Sequence, residues 1–206
     1  MNDSNDRLIV EGLVITAGED GSPHLAPMGP LVDRGLRSFT LRPFCSSTTF
    51  ANLQRTGVAV FHITDDVELL ARAAIGRVEV PPEYVPIELS PHFALADCCR
   101  WFALRVTESI IDPPRATFHC EVVQSQGVRE WFGFNRAKHA IVEAAILATR
   151  IGILPDDEIR NEFTRLAIPV HKTAGIQERR AWRVLREYLE EQIGGMAELI
   201  RRAGET

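Results

Sequence analysis

"LIVEGLVITAGEDGSPHLAPMGPLVDRG", residues 8–35, carries the fold in miniature. Leu8–Gly18 is apolar and β-branched, Asp20-Gly21 is a hairpin-type turn, His24–Val32 resumes extended composition, and Asp33–Gly35 turns again. Outward from it, "LRSFTLRPF" (36–44) and "VAVFHIT" (58–64) keep the same rhythm. Strand follows strand with one short helix between. That is the spacing of an antiparallel meander, closer to a barrel than to a βαβ fold.

Further along, the composition becomes mixed. "DDVELLARAAIG" (65–76) predicts a short helix with Asp65 as its cap, Glu68 three residues on, and Gly76 as its stop. "VPPEYVPIELSP" (80–91) predicts loop or edge strand. "WFALRVTESIID" (101–112) and "ATFHCEVVQSQ" (116–126) return to strand composition across Asp112-Pro113-Pro114. From residue 135 the apolar period becomes helical. "NRAKHAIVEAAILATR" starts at the N-cap Asn135, "PDDEIRNEFTRLAI" has Pro155 and two carboxylates at its start, and "IQERRAWRVLREYLEEQI" carries an apolar stripe from Ala181 to Ile193. The expected organisation is a barrel over residues 1–133 and a three-helix subdomain over 134–206.

With 206 residues, 45% hydrophobic and 25% charged, a packed core is expected and disorder is not. A net charge of −5, with no basic stripe outside the last helix, argues against a nucleic-acid partner. No apolar run reaches membrane-spanning length and the first residues lack a signal-peptide pattern, so a soluble cytoplasmic protein is expected. The four cysteines (Cys45, Cys98, Cys99, Cys120) have no C-x-x-C spacing and read as reduced thiols. His92, Cys98, Cys99, His119 and Cys120 cluster in sequence without the spacing of a zinc site, and no metal is expected. Neither G-x-S-x-G nor G-x-G-x-x-G is present.

"LRPFCSSTTFANLQRTG" (41–57) sets four hydroxyls, Ser46, Ser47, Thr48 and Thr49, at the start of the first helix, with Arg42 just upstream. A helix cap requires one hydroxyl. Four beside an arginine suit an anion, which the orphan N–H groups of a helix start already favour. The plainer alternative is a cap and a surface arginine.

Together these pieces resemble the FMN-binding split barrels, the fold of flavin reductases and pyridoxamine-phosphate-oxidase-like proteins, and within them a domain-of-unknown-function family. The resemblance rests on Glu11, Asp20-Gly21, Ala26-Pro27-Met28-Gly29, Arg42-Pro43-Phe44, Ser47, Thr49, Asn52, Asn135-Arg136-Ala137, Glu143 and Arg150, in that order along the chain. It implies an α+β, mainly-β split barrel with a C-terminal helical subdomain, and FMN as cofactor at or near the interface of a homodimer. It also implies that Arg42, Ser46, Ser47, Thr48 and Thr49 neutralise the flavin phosphate. Ala26, Pro27, Met28 and Gly29 would offer the ring a strand edge, with Asn52 close by. The alternative for Ala26–Gly29 is a bulge near a sheet edge.

His24 is a candidate proton donor, or simply a structural histidine. Arg136, His139, Glu143 and Arg150 fall on one face of their helix, either as a solvated stripe or as a polar wall for a charged small-molecule substrate, with Lys172 and Thr173 joining from a turn before the last helix. The expected function is a flavin-dependent oxidoreductase. A non-catalytic flavin carrier and a cofactor-less scaffold barrel are the alternatives.

Overall fold

Two short connections shape the first half of the molecule. The computed structural model describes residues 7–88 and 92–196, so Leu89–Pro91 of the proline-rich stretch lie outside it. The chain forms two compact units, one from residues up to Thr64 with Pro81–Trp131, the other from Asp65–Val80 with Phe132 onward.

The first unit contains β1 (Arg7–Ile9), β2 (Gly12–Ala17), β3 (Pro23–Met28), β4 (Leu31–Asp33), β5 (Ser38–Leu41), α1 (Thr48–Thr56), β6 (Val58–Ile63), β7 (Tyr84–Pro86), β8 (Phe93–Leu95), β9 (Arg100–Asp112) and β10 (Arg115–Gly127). Eight strands make one sheet in the order β1-β4-β5-β10-β9-β6-β2-β3, and β7 pairs with β8 separately. All the pairings are antiparallel.

The stretch Leu8–Gly18, expected as one strand, is broken at Val10-Glu11 into β1 and β2, which sit toward opposite ends of the sheet. Gly29-Pro30 likewise joins β3 at one end to β4 near the other. Three Cα steps span at most about 11 Å, so the two ends must face each other and the sheet must curl. The Val10 N–H donates to the Pro30 carbonyl at 3.2 Å, tying the two connectors together. At this seam the Glu11 carboxylate lies over Gly29, where a Cβ would come 2.5 Å from Oε1. A side chain here would require the Glu11 carboxylate and the Ile9 side chain to move.

Inside the curl, Val14, Phe39, Leu41, Phe61, Phe102, Leu104 and Phe118 form the core. The Phe39 ring lies 5.5 Å from Phe61 and 5.2 Å from Phe102. On β10, buried Ala116, Phe118 and Cys120 alternate with half-buried Thr117 and His119, the two-residue period of a strand with one face on the core.

The second unit holds α2 (Val67–Ala74), α3 (Arg136–Ala148), α4 (Asp156–Thr173) and α5 (Ile176–Ile193). It therefore has four helices where three were expected, because residues 65–80 belong to it. Helix α3 packs against α2, α4 and α5, and buries Ala137, Ala140, Ile141, Ala144, Ala145 and Ala148. This run of small residues lets neighbouring helices come close. Phe163 of α4 stacks on Trp182 of α5 with ring centroids 4.0 Å apart.

Two local expectations are corrected. The cap of α2 is Asp66, whose carboxylate accepts from the Leu69 N–H at 2.9 Å. Asp65 instead accepts from the Phe132 N–H at 3.1 Å. Helix α4 continues through Pro169 to Thr173, so Lys172 and Thr173 are helical and the break comes at Ala174-Gly175. Packing of Ala167 and Val170, both buried, outweighs the helix hydrogen bond that Pro169 cannot make.

Candidate functional site

Helix α1 begins where β5 has run off the sheet. Pro43 accepts from the Ala116 N–H at 3.0 Å, and the Cys45 N–H donates to Pro114 at 2.9 Å, so residues 42–45 are fastened to the β9–β10 turn. Ser47 is the N-cap. Its hydroxyl accepts from the Phe50 N–H at 3.2 Å and donates to the Phe44 carbonyl at 2.8 Å. Ser47 thus has its hydroxyl occupied by the chain itself. Ser46 and Thr48 are exposed, while Thr49 is buried. The first-turn amides of Thr48 and Thr49 have no intrahelical acceptor, as at any helix start.

Arg42 is exposed at this entrance. A second guanidinium stands beside it. Arg115 lies over the Phe44 ring at 3.8 Å and donates to the Arg42 carbonyl at 2.7 Å. Sequence reasoning missed Arg115, since 73 residues separate the pair. Its only local signal is its place just after Pro113-Pro114.

Helix α1 packs beside β2 and β3, with Asn52 donating to Thr16 and Arg55 to the Ala17 carbonyl at the end of β2 that pairs with Pro23 and His24. Among the described residues strand β3 pairs only with β2, and it is half-buried throughout. Pro23 and Pro27 on β3 discourage another strand from adding. The group that approaches Gly29 is the chain's own Glu11. Asn52 points away from the entrance, donating from its buried side chain to Thr16 Oγ1 at 3.0 Å and pinning α1 to β2. His24 is half-buried on β3, and burial holds its pKa below the ordinary histidine value, so it is neutral at pH 7.

His62 is the other histidine of consequence in this unit. Its Nε2 accepts from the Leu95 N–H at 3.1 Å, which leaves Nδ1–H to donate to the Leu13 carbonyl at 3.2 Å. Burial pushes its pKa down to about 4. It joins β6, β2 and β8 as a neutral ring.

In the helical unit, Arg136, His139 and Glu143 come together along a cleft of about 440 Å³ that Phe134, Asn135, Ala140, Leu166 and Pro169 also line. Lys172 is exposed on α4 and, like Arg150, is not among the lining residues. Arg150 lies past the end of α3, after its C-cap Thr149.

The start of α3 is closed by its own chain. Asn135 Oδ1 accepts from the Ala137 and Lys138 N–H groups at 2.9 and 3.1 Å. Thr173 Oγ1 accepts from the Ala137 N–H at 3.0 Å, and the Thr173 carbonyl accepts from Asn135 Nδ2 at 3.2 Å. Beside them Lys138 pairs with Glu178 at 2.8 Å, both nearly buried, and Glu178 also caps α5 through the Gly175 N–H at 2.8 Å. Hydrogen bonds from Lys138 and Gly175 hold the Glu178 carboxyl below its ordinary pKa against the cost of burial. The Asn-Arg-Ala and His-Lys-Thr stretches therefore meet as a helix-capping junction.

Two family models match the chain. Residues 10–129 match the N-terminal domain of a protein of unknown function, DUF447, and residues 135–187 match a second DUF447 model. The chain belongs to the DUF447 family. A similar solved structure is an FMN-bound protein of Methanosarcina mazei, also assigned to DUF447. It has a TM-score of 0.72 and 23% identity over 87% of this chain and 94% of that one. Flavoredoxin from Methanosarcina acetivorans is similar at a TM-score of 0.50 and 15% identity, covering 62% of this chain and 74% of that one. No curated protein matches the sequence. The DUF447 fold observed is the expected one, a mainly-β split barrel followed by helices. Among the described residues no helix is long and apolar enough to cross a membrane, and no group of three His, Cys, Asp or Glu is placed to hold a metal ion.

Proposed function

We propose that this chain binds FMN in its barrel unit and acts as a flavin-dependent oxidoreductase on a small molecule. The observation that carries the proposal is the α1 entrance, where Arg42 is exposed, Arg115 reaches the Arg42 carbonyl over the Phe44 ring, and the helix start has exposed hydroxyls at Ser46 and Thr48. This donor set fits a phosphate dianion, since charge-assisted hydrogen bonds are about twice as strong as neutral ones. The FMN-bound relative from Methanosarcina mazei supports the same choice of cofactor. When bound, FMN would supply hydride and electron transfer.

The residues of this chain divide the remaining work. Arg42, Arg115, Ser46, Thr48 and the Thr48 and Thr49 amides would hold the phosphate. The edge of β3 at Ala26, Pro27 and Met28 would lie along the ring, with the Pro27 carbonyl as an acceptor at its polar rim. Neutral His24 on the same strand would serve as a hydrogen-bond partner or proton acceptor rather than a cation. Ser47 and Asn52 fix the shape of the entrance by capping and anchoring α1.

The test is the ratio of affinities for FMN and riboflavin, measured by fluorescence-quenching titration. FMN should bind at least about tenfold more tightly, because each lost charge-assisted bond costs roughly 1.5–3 kcal/mol. Arg42→Ala and Arg115→Ala should each lower that ratio, more steeply at low salt. Equal affinity for the two flavins in the unaltered protein would end the proposal.

A homodimer is part of the same proposal. Leu8, Ile9, Ile110 and Ile111 of the barrel unit are 45–51% exposed, and β9 beyond Val106 has a strand on one side only. A second copy would cover such surface with a total burial above about 1,000 Å². Light scattering at low micromolar concentration should give twice 23.0 kDa. A mass of 23.0 kDa would refute the dimer.

A further inference from the structure

The α3–α4 cleft of the helical unit is lined by an arginine, a histidine and a carboxylate on one side of α3. Elsewhere Arg72 pairs with Glu68, Arg160 with Asp157, Arg165 with Glu162, and Lys138 with Glu178. Arg136 and Glu143 have no ion-pair or hydrogen-bond partner for their side chains among the described residues. They are seven residues apart, two turns and a rise of about 10.5 Å, which is too far for them to pair with each other. Both nevertheless line the same cleft.

Between them the surface is apolar. Ala140 supplies a floor with almost no side chain, and Leu166 and Pro169 form the α4 wall. Phe134 stands at the Arg136 end, 93% exposed, its ring 5.7 Å from the His139 ring. Gly133, at φ +107°, makes the bend just before it, a conformation that a residue with a side chain rarely adopts. An aromatic side chain held out to solvent beside a guanidinium, an imidazole and a carboxylate is a poor arrangement for stability. It suits a ligand that has both a ring and two opposite charges.

We propose that the helical unit carries a ligand site of its own, taking a small aromatic zwitterion. The acidic group of the ligand pairs with Arg136 and its ammonium group with Glu143. The ring lies over Ala140 against Phe134 and His139. The cleft volume of about 440 Å³ is within the usual range of roughly 300–1,000 Å³ for small-molecule sites. Every lining residue belongs to the helical unit.

Para-(aminomethyl)benzoate is a suitable probe, with benzoate and benzylamine as its two halves. Calorimetric titration without added flavin should show the zwitterion binding at least about tenfold more tightly than either half. Arg136→Ala should weaken benzoate and the zwitterion and leave benzylamine unchanged. Glu143→Gln should do the reverse. Both side chains are exposed, so neither change should shift the melting temperature. The His139 ring signals should move on titration, which places the probe in the cleft. Three outcomes would overturn the site: no saturable binding at about 10 mM, binding indifferent to both variants, or His139 shifts that follow protein concentration in place of probe. The last would mean that a second copy covers the cleft. Failure here leaves the FMN-to-riboflavin ratio untouched, and failure there leaves this site standing.

Discussion

Two helix starts in this molecule look alike in sequence and differ in how they are completed. At α1 one serine hydroxyl makes the cap, Ser46 and Thr48 are exposed, and Arg115 reaches the carbonyl of exposed Arg42 just upstream. At α3 an asparagine and a threonine from a distant helix both bind the first amides, and a lysine–glutamate pair locks the junction. The first start leaves hydroxyls exposed, whereas the second has committed its polar groups to the fold. Polar residues at a helix start therefore say little about ligands until their partners are known.

The largest effect should come from the closed start. Lys138→Met would leave Glu178 charged and unpaired in a nearly buried place, which costs about 3–5 kcal/mol. Urea unfolding at pH 7 should register that loss. A loss within experimental error would mean that the junction is as open as the α1 entrance, and the contrast would fail.

Acid should separate the two units next. The His62 pKa falls from 6.5 in the unfolded chain to about 4 in the folded one, so below pH 6.5 the unfolded state binds the extra proton and the fold is weakened. The loss grows to about 3 kcal/mol as pH falls to about 4. The Glu178 pKa is lowered from 4.5, so its contribution persists above that value and is lost as pH falls through the lower, folded-state pKa. The barrel unit should thus weaken first and the helical unit only in stronger acid. His62→Gln should abolish the slope between pH 6.5 and 4. An unaltered slope would assign it to other groups.

The smallest effects sharpen the comparison most. Ser47→Ala and Asn135→Ala each remove a cap, at a cost of about 1 kcal/mol. Ser47→Ala should leave the FMN-to-riboflavin ratio unchanged, since its hydroxyl already serves Phe50 and Phe44. A drop in that ratio would show that the Ser47 hydroxyl turns to the ligand instead. Melting curves and flavin titrations on the same samples distinguish the two.

Much of the fold was legible because its signals are local. The cap at Asn135, the limits of α5, and the turns at Asp20-Gly21 and Asp33–Gly35 all depend on neighbours within five residues, whereas which of the four hydroxyls at 46–49 caps α1 was not assigned. What escaped is set over long distances. Nothing in the apolar run Leu8–Ala17 announces a break at Glu11, because partners in β4 and β6 decide it. Pro169 reads as a helix stop, yet Thr173 beyond it returns its hydroxyl to the Pro169 carbonyl and its oxygen to the Ala137 amide. At the candidate sites, residue type was readable at Arg42, Arg136 and Glu143. Arg115 was not, since only the fold sets it against Phe44.

The two connectors at Glu11 and Gly29 also order events during synthesis. Strands β2 and β3 can pair as soon as they leave the ribosome, since Leu13 faces Pro27. β5 must wait for β10, whose Phe118 faces Leu41. Because β10 lies in the middle of the sheet order, a nascent chain that has not yet reached residue 115 has its sheet in two pieces with raw edges. Translation must pass residue 127 before β1 to β5 can be enclosed.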